Sequence, residues 1–487
     1  MATLRVLFNA LPSIGAPDLG RNLRRQTICP SKTLSQSSIT CETQREPLFS
    51  LGLLPLGQAH FRVPRIRQLP PLTTASQALY TKSEHTPEGP LTLHSRTSIS
   101  WSDARRRLLT VALVGLRLTY ASELTEAPGP RQPNAHLNSA VTNVIFDTDI
   151  WSDMDDMLAL AMLHALEDRG EIRILAVTIS TNDRWCASYV SLVNTFYDHA
   201  QIPIGMINEG MDVEYFRKQF PTLAWPVSRY TELLSERRKQ DGTSLYAHRL
   251  NDGRMTPEAV GLLRETLTAQ PDGSVVMIQV GYSTNLARLL RSDPDAISMF
   301  NGRELIARKV RFLSIMAGNF GETLFEGKVI PKGSPEFNLE ADVTSAQALF
   351  ANWPTPIVAS GFEIGINLLY PPESITRDFR YSEHHPIPDT YRTLCNEELQ
   401  PTRQGACSRV QGTPDLTAVL YAVRPDRNYF SLSNAGRITV LNDGSSSFEE
   451  VVGGRHRHLI LHKSQKARAL EAMVMLASQP PTHHARP

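Results

Sequence analysis

"VIFDTDIWSDMDDMLALAML", residues 144–163, passes from a β-branched apolar run through five aspartates into a helical one. Asp147, Asp149, Asp153, Asp155 and Asp156 fall within ten residues. A strand that is apolar at nearly every position is buried on both faces, the pattern of a parallel sheet covered by helices. In open sheets of that kind ligands bind beyond the carboxyl ends of the strands, and that is where these carboxylates stand. Acidic groups packed so closely repel, and burial sharpens the repulsion, so they need a cation or must take up protons. The helix dipole offers only ~0.3–1 kcal/mol per acidic residue at a helix start. A hard divalent ion, Ca2+ or Mg2+, answers better.

Outward from this stretch, strands and helices alternate. "VTNVIF", "IRILAVTIS", "IPIGMI", "SVVMIQV", "VRFLSIMAG" and "TPIVASGF" read as strands, with helices such as "DDMLALAMLHALEDRG", "CASYVSLVNTFYDHA" and "SAQALFANW" between them. That order predicts an α/β domain over residues 141–425, built on an open, mostly parallel sheet with helices on both faces. Residues 426–487 carry the turn signals "NAG" and "NDGS" between alternating runs, then an amphipathic helix, "SQKARALEAMVMLASQ". They predict a small C-terminal β appendage packed on the main domain. Its use is either the rim of the ligand site or a contact in a homo-oligomer.

Composition limits the classes of function. Of 487 residues, 41% are hydrophobic and 20% charged, enough for a large core. The net charge of +1 divides into +9 for residues 1–121, with 15 Lys and Arg against 6 Asp and Glu, and −8 for the rest. The acidic remainder has no basic stripe interleaved with aromatics, which excludes a nucleic-acid partner. Residues 1–103, rich in Pro, Ser, Thr and Arg, show no sustained period and predict a disordered leader. "ARRRLLTVALVGLRLTYASE", residues 104–123, has the layout of a secretory signal over 104–121, too short to span a membrane, and the expectation is export if translation starts just ahead of it. A Pro-rich linker follows over 122–140. Of the five cysteines, Cys395 and Cys407 flank a polar loop that an exported chain could close, and no Cys/His metal spacing occurs.

Three acidic motifs compete for the opening stretch. An EF-hand loop counted from Asp147 fails, with Ser152 where Gly is needed and Leu158 where Glu is needed. "FDTDIW" is similar to the D-x-D of haloacid dehalogenase-type phosphatases, which would make Asp147 a covalent nucleophile, but no later Lys and acidic pair complete the pattern. The stretch also resembles the metal-binding signature of the inosine-uridine preferring nucleoside hydrolase family, D-x-D-x-G-x-D-D followed by A-L-A-L. The resemblance recurs in order through Asn182, "VGYSTNLARLL" (280–290), "SIMAGNF" (314–320), "PEFNLEAD" (335–342) and "TPDLTAVLYAVRP" (413–425).

The resemblance implies the Rossmann-like nucleoside hydrolase fold, Ca2+ as cofactor, and a nucleoside or other ribosyl substrate. It implies Asp149 as general base and Ca2+ ligand, with Asp156, the backbone carbonyl of Thr284 and Asp415 as further ligands. Asp155, Glu336 and Asn338 would hold the ribose hydroxyls, with Asn182 close to the sugar and Asn319 a further sugar candidate. The motif is two residues longer than the family's between Asp149 and the Asp155–Asp156 pair. Asp153 keeps the family spacing and is the alternative for sugar or metal, but "DDMLAL" keeps the helix in phase from Asp155. Trp151 replaces the expected Gly and is either a stacking wall for base or sugar or a packing residue. Pro414 stands where many members place a histidine that acts on the leaving base. It cannot donate a proton, which leaves His248, His384 and His385 as loop candidates, or no acid at all.

Overall fold

The computed structural model describes residues 141–151, 154–221, 229–394 and 412–482. Asp153, the leader, the signal-like segment, the linker, Cys395 and Cys407 lie outside them. Among the described residues a ten-stranded sheet forms the backbone of the fold. Third from one edge is β1 (Thr142–Thr148), flanked in parallel by β2 (Ile172–Ile179) and β4 (Val275–Gln279). β3 (Ile204–Met206) lies outside β2, while β5 (Val310–Met316) and then β8 (Ile357–Ser360) follow β4, all in parallel. β6 (Thr323–Phe325) and β7 (Lys328–Ile330) form a separate hairpin. All six strands read from the sequence are therefore in one sheet.

Successive side chains of these strands enter opposite cores, as a period of two requires. On β1, Val144 and Phe146 join one apolar cluster and Ile145 the other; on β4, Val276 and Ile278 part in the same way from Val275 and Met277. The sheet is covered on both faces, which is why its strands lack polar alternation. Helix α1 (Asp155–Asp168) lies on one face with twelve of its fourteen residues buried, so its own apolar stripe runs nearly all round. It packs between the helix Pro414–Val423 and the C-terminal helix Lys466–Ala477.

The C-terminal strands extend this sheet. β12 (His456–Ile460) pairs in parallel with β8, and β10 (Gly436–Val440) and β11 (Ser446–Glu450) add on antiparallel, with β9 (Ser431–Leu432) on β12. The β10–β11 turn reaches back over the carboxyl ends of the parallel strands. In the last helix Met473 and Leu476 are buried as the sequence predicts, whereas Met475 is exposed. Among the described residues no helix is long and apolar enough to cross a membrane.

Candidate functional site

Strand order reverses at β1, whose later neighbours run through β2 on one side and β4 on the other. Such a switch point opens a crevice beyond the strand ends, and the aspartates line it. Asp147, the last residue but one of β1, lies directly opposite Thr178 of β2. Its Oδ2 accepts hydrogen bonds from Thr178 Oγ1 at 2.6 Å and Asn285 Nδ2 at 2.9 Å. Burial pushes its pKa up to about 7 against the pull of those two donors. Asp147 is thus a strut tying β1, β2 and the helix Thr284–Arg291 together. Next in the chain, Thr148 Oγ1 donates to the Asp156 carboxylate, which pins the first turn of α1 to the strand end.

Asp149 follows at 8% exposure, more accessible than Asp147 or Asp156 at 1%. Gly281, just past β4, presses against it: a Cβ on Gly281 would stand 2.5 Å from Asp149 N and 2.8 Å from its Oδ1. Only a glycine permits that approach. Burial pushes the Cys186 thiol up, and the charges of Asp183, Asp156 and Asp149 add to that shift. α1 does begin at Asp155, and both Asp155 and Asp156 occupy its first turn. The backbone N–H of Asp415 donates to Asp155 Oδ2 at 3.2 Å, bringing together motifs 260 residues apart. Pro414 opens that helix at its first turn, where a missing N–H costs nothing.

Thr284 begins the helix Thr284–Arg291, and its hydroxyl donates to Asp342 Oδ2 at 2.6 Å. On the β5 side, Glu336 Oε2 accepts from Gly318 N at 3.0 Å and its Oε1 from Asn338 N at 2.9 Å. Asn338 Nδ2 donates to Val280 O at 2.7 Å, lacing the end of β4 to this segment. Asn319 receives support from the β10–β11 turn, donating its N–H to Ser446 Oγ at 3.1 Å, while its Nδ2 reaches Pro331 O at 2.8 Å. Its Oδ1 is buried and makes no hydrogen bond among the described residues. Asn182 is half-buried at the end of β2, its N–H on Met211 O at 3.0 Å.

Trp151 is 2% exposed and packs on Phe216 with ring centroids 5.5 Å apart, an aromatic contact within the core. The loop histidines are engaged elsewhere. His248 has Nδ1 2.7 Å from Leu250 O and Nε2 3.1 Å from Ser235 O. His385 is buried, with Nε2 2.7 Å from Tyr381 Oη and Nδ1 accepting from Ile387 N. His384 is exposed. The sequence reading missed the supports: Thr148, Thr178, Asn285, Asp342 and Ser446. Gly281 alone carried a signal, as a glycine directly after a strand.

The donors at the crevice fit a hard cation. Asp149, Asp156, Asp415 and the Thr284 carbonyl offer only oxygen, the carboxylates are between 1% and 8% exposed, and the Gly281 cradle holds Asp149 at a fixed depth.

Like Asp147, two further buried carboxyls lend the domain a pH dependence, opposed by buried imidazoles such as His456, which burial lowers to about 4. Burial pushes Glu336 and Glu363 up to about 7 from an ordinary 4.5, against backbone N–H donors that include Phe320 N on Glu363 at 3.0 Å. A carboxyl raised in the fold stabilises it fully below the unfolded value and loses that contribution as pH rises through the folded one. In EGTA the Tm of Glu363→Gln is expected to fall less steeply between pH 5 and pH 8 than that of the unmodified chain, by the contribution of that one carboxyl. A fall of the same steepness in that variant would discard Glu363 as a source.

A switch point with buried carboxylates gathered beyond the strand ends defines the class of open α/β folds whose ligands bind at the carboxyl edge of the sheet. The model of the inosine-uridine preferring nucleoside hydrolase family matches residues 144–477, and the chain belongs to that family. Family and fold support hydrolase activity on nucleosides in general. The plant nucleoside hydrolase PpNRh1 is similar at 17% identity and TM-score 0.50, over 70% of this chain and 100% of that one. The inosine-uridine preferring nucleoside hydrolase from Bacillus anthracis is 14% identical with TM-score 0.46, over 69% and 99% of the two chains. The type III effector protein XopQ, solved in complex with adenosine diphosphate ribose, is 16% identical with TM-score 0.48, over 70% and 95%. At these identities the likeness concerns the fold. No curated protein matches the chain in sequence.

Proposed function

We propose that this protein is a Ca2+-dependent N-ribosyl hydrolase that cleaves ribonucleosides to ribose and free base. The observation that carries the reading is the Asp155–Asp415 contact, which joins the first and last motifs of the family pattern beside the Asp149–Gly281 approach. Ca2+ held by Asp149, Asp156, Asp415 and the Thr284 carbonyl would lower the pKa of a coordinated water. Asp149 takes the proton of the water as its oxygen bonds to the anomeric carbon, and the C–N bond breaks with its electron pair going to the base. Asp155, Glu336, Asn338 and Asn182 hold the ribose, with Asn319 offering its Oδ1. Their fixed dipoles and charges stabilise the positive charge that grows on the sugar.

The base must leave without a histidine at position 414. With His248 and His385 engaged in the fold, solvent supplies its proton and the ribosyl side carries the activation. The test is free ribose released by the full chain with Ca2+ from a panel of ribonucleosides and from p-nitrophenyl riboside. Release is expected to fall at least ~10²-fold in EGTA, and to be greatest on p-nitrophenyl riboside, whose leaving group needs no proton. Pro414 also favours a second reading, a nucleoside-binding protein without turnover. Nucleoside binding with no ribose from any substrate would select it.

A further inference from the structure

At the opposite end of α1 lies a second constellation, of different chemistry. His164 and Glu167 on α1 and His199, in the loop after the helix Arg184–Phe196, each bring a ligand atom within 4.8 Å of the others. Eight residues of helix separate His164 from Asp156, a rise of ~12 Å, so this cluster is distinct from the carboxylate crevice. It offers imidazole nitrogens where the crevice offers only oxygens.

The hydrogen bonds around the cluster leave its inner atoms unspent. His164 is fully buried, with Nε2 2.9 Å from Asn194 Oδ1. With the Asn194 oxygen as acceptor, Nε2 carries the proton and Nδ1 holds the lone pair, while Asn194 Nδ2 is buried and makes no hydrogen bond among the described residues. That Nδ1 is buried and makes no hydrogen bond among the described residues. His199 repeats the arrangement, with Nε2 3.0 Å from Asp168 Oδ1 and Nδ1 3.5 Å from Glu167 Oε2. Glu167 Oε1 accepts from Ile174 N at 3.0 Å, and its Oε2 makes no hydrogen bond among the described residues. A His199⁺–Glu167 ion pair would account for two of these atoms but leaves the buried Nδ1 of His164 unmatched.

We propose that His164 Nδ1, His199 Nδ1 and Glu167 Oε2 bind a borderline-soft divalent transition-metal ion, with Zn2+ as the reference ion. Two imidazoles and one carboxylate suit that class of ion and not Ca2+. Asn194 and Asp168 are the outer partners that fix each imidazole tautomer. The imidazoles stack with centroids 5.1 Å apart and planes 8° apart, so one ring must turn to close on an ion at ~2.0–2.1 Å. His199 is the ring that turns, since its side chain is 16% exposed while His164 is enclosed. The ion would clamp the end of α1 to the loop that follows the helix Arg184–Phe196.

The test uses the full chain, stripped with chelator and then held in saturating Ca2+. Titration with Zn2+ and with Co2+ is expected to show one ion bound, with a visible Co2+ spectrum of nitrogen ligation. His199→Gln should weaken Zn2+ at least ~100-fold, and Asp168→Asn ~10–100-fold, while Asp149→Asn leaves it unchanged. Zn2+ binding undiminished in a folded His199→Gln, or lost in Asp149→Asn, would overturn the proposal. If His199→Gln fails to fold, the unmodified chain decides: a Co2+ spectrum without nitrogen ligation, or no bound ion, would equally overturn it.

Discussion

Asp149→Asn is expected to fold and melt as the unmodified chain does, yet to lose ribose release by at least ~10³-fold, within the range of a lost general base. The substitution keeps the size of the side chain and the backbone carbonyl that accepts from Thr181 Oγ1 at 3.1 Å. It removes the negative charge and the ability to take a proton, and Ca2+ titration of the variant should show weaker binding. Position sets Asp149 apart from its neighbours. Asp147 is committed to Thr178 and Asn285, and Asp156 accepts from Thr148, whereas Asp149 stands at the more open lip of the crevice. Asp147→Ala, by contrast, should lower Tm, because it removes the one oxygen that accepts from both Thr178 and Asn285 and so breaks the strut. Ribose release within tenfold of the unmodified chain in Asp149→Asn would remove the base from that residue.

Gly281→Ala carries the second large effect. The added methyl would lie 2.5 Å from Asp149 N and 2.7 Å from its Cβ, distances that backbone atoms cannot relieve by turning a side chain. Asp149 or the β4 end must move, and a displacement of ~1 Å at a catalytic group costs ~10²-fold in rate. Elsewhere, Gly to Ala at a compatible backbone position stabilises by ~0.4–1 kcal/mol. The expected pair of results is therefore a kcat/KM reduced ~10²-fold and a Tm that falls. An unchanged kcat/KM would mean that Asp149 does not depend on the approach of Gly281.

The sheet was legible because its strands are apolar on both faces. "VTNVIF", "SVVMIQV" and "VRFLSIMAG" each contain an observed strand, and the helix phase that favoured Asp155 over Asp153 matches the start of α1. The path of residues 426–487 was harder to read. "NAG" and "NDGS" announce local hairpins, but nothing local says that His456–Ile460 will pair in parallel with β8, since that choice depends on an edge formed 100 residues earlier. The candidate site divides in the same way. Carboxylates at a strand end announce themselves through charge, whereas their holders, Thr178, Asn285 and Ser446, are ordinary polar residues until the fold brings them into reach. Trp151 shows the limit for single residues, because a large aromatic in an acidic loop reads equally as ligand wall and as core.

The 260-residue reach from Asp155 to Asp415 also sets an order of events during synthesis. β1 leaves the ribosome first among the described strands, and at ~5–20 residues per second its acidic end waits on the order of tens of seconds for the backbone that will meet it. Ser446, which holds Asn319, arrives later still. A chain cut short before that turn lacks the hydrogen bond that holds Asn319. Emergence of that turn is thereby the last step in assembling these contacts.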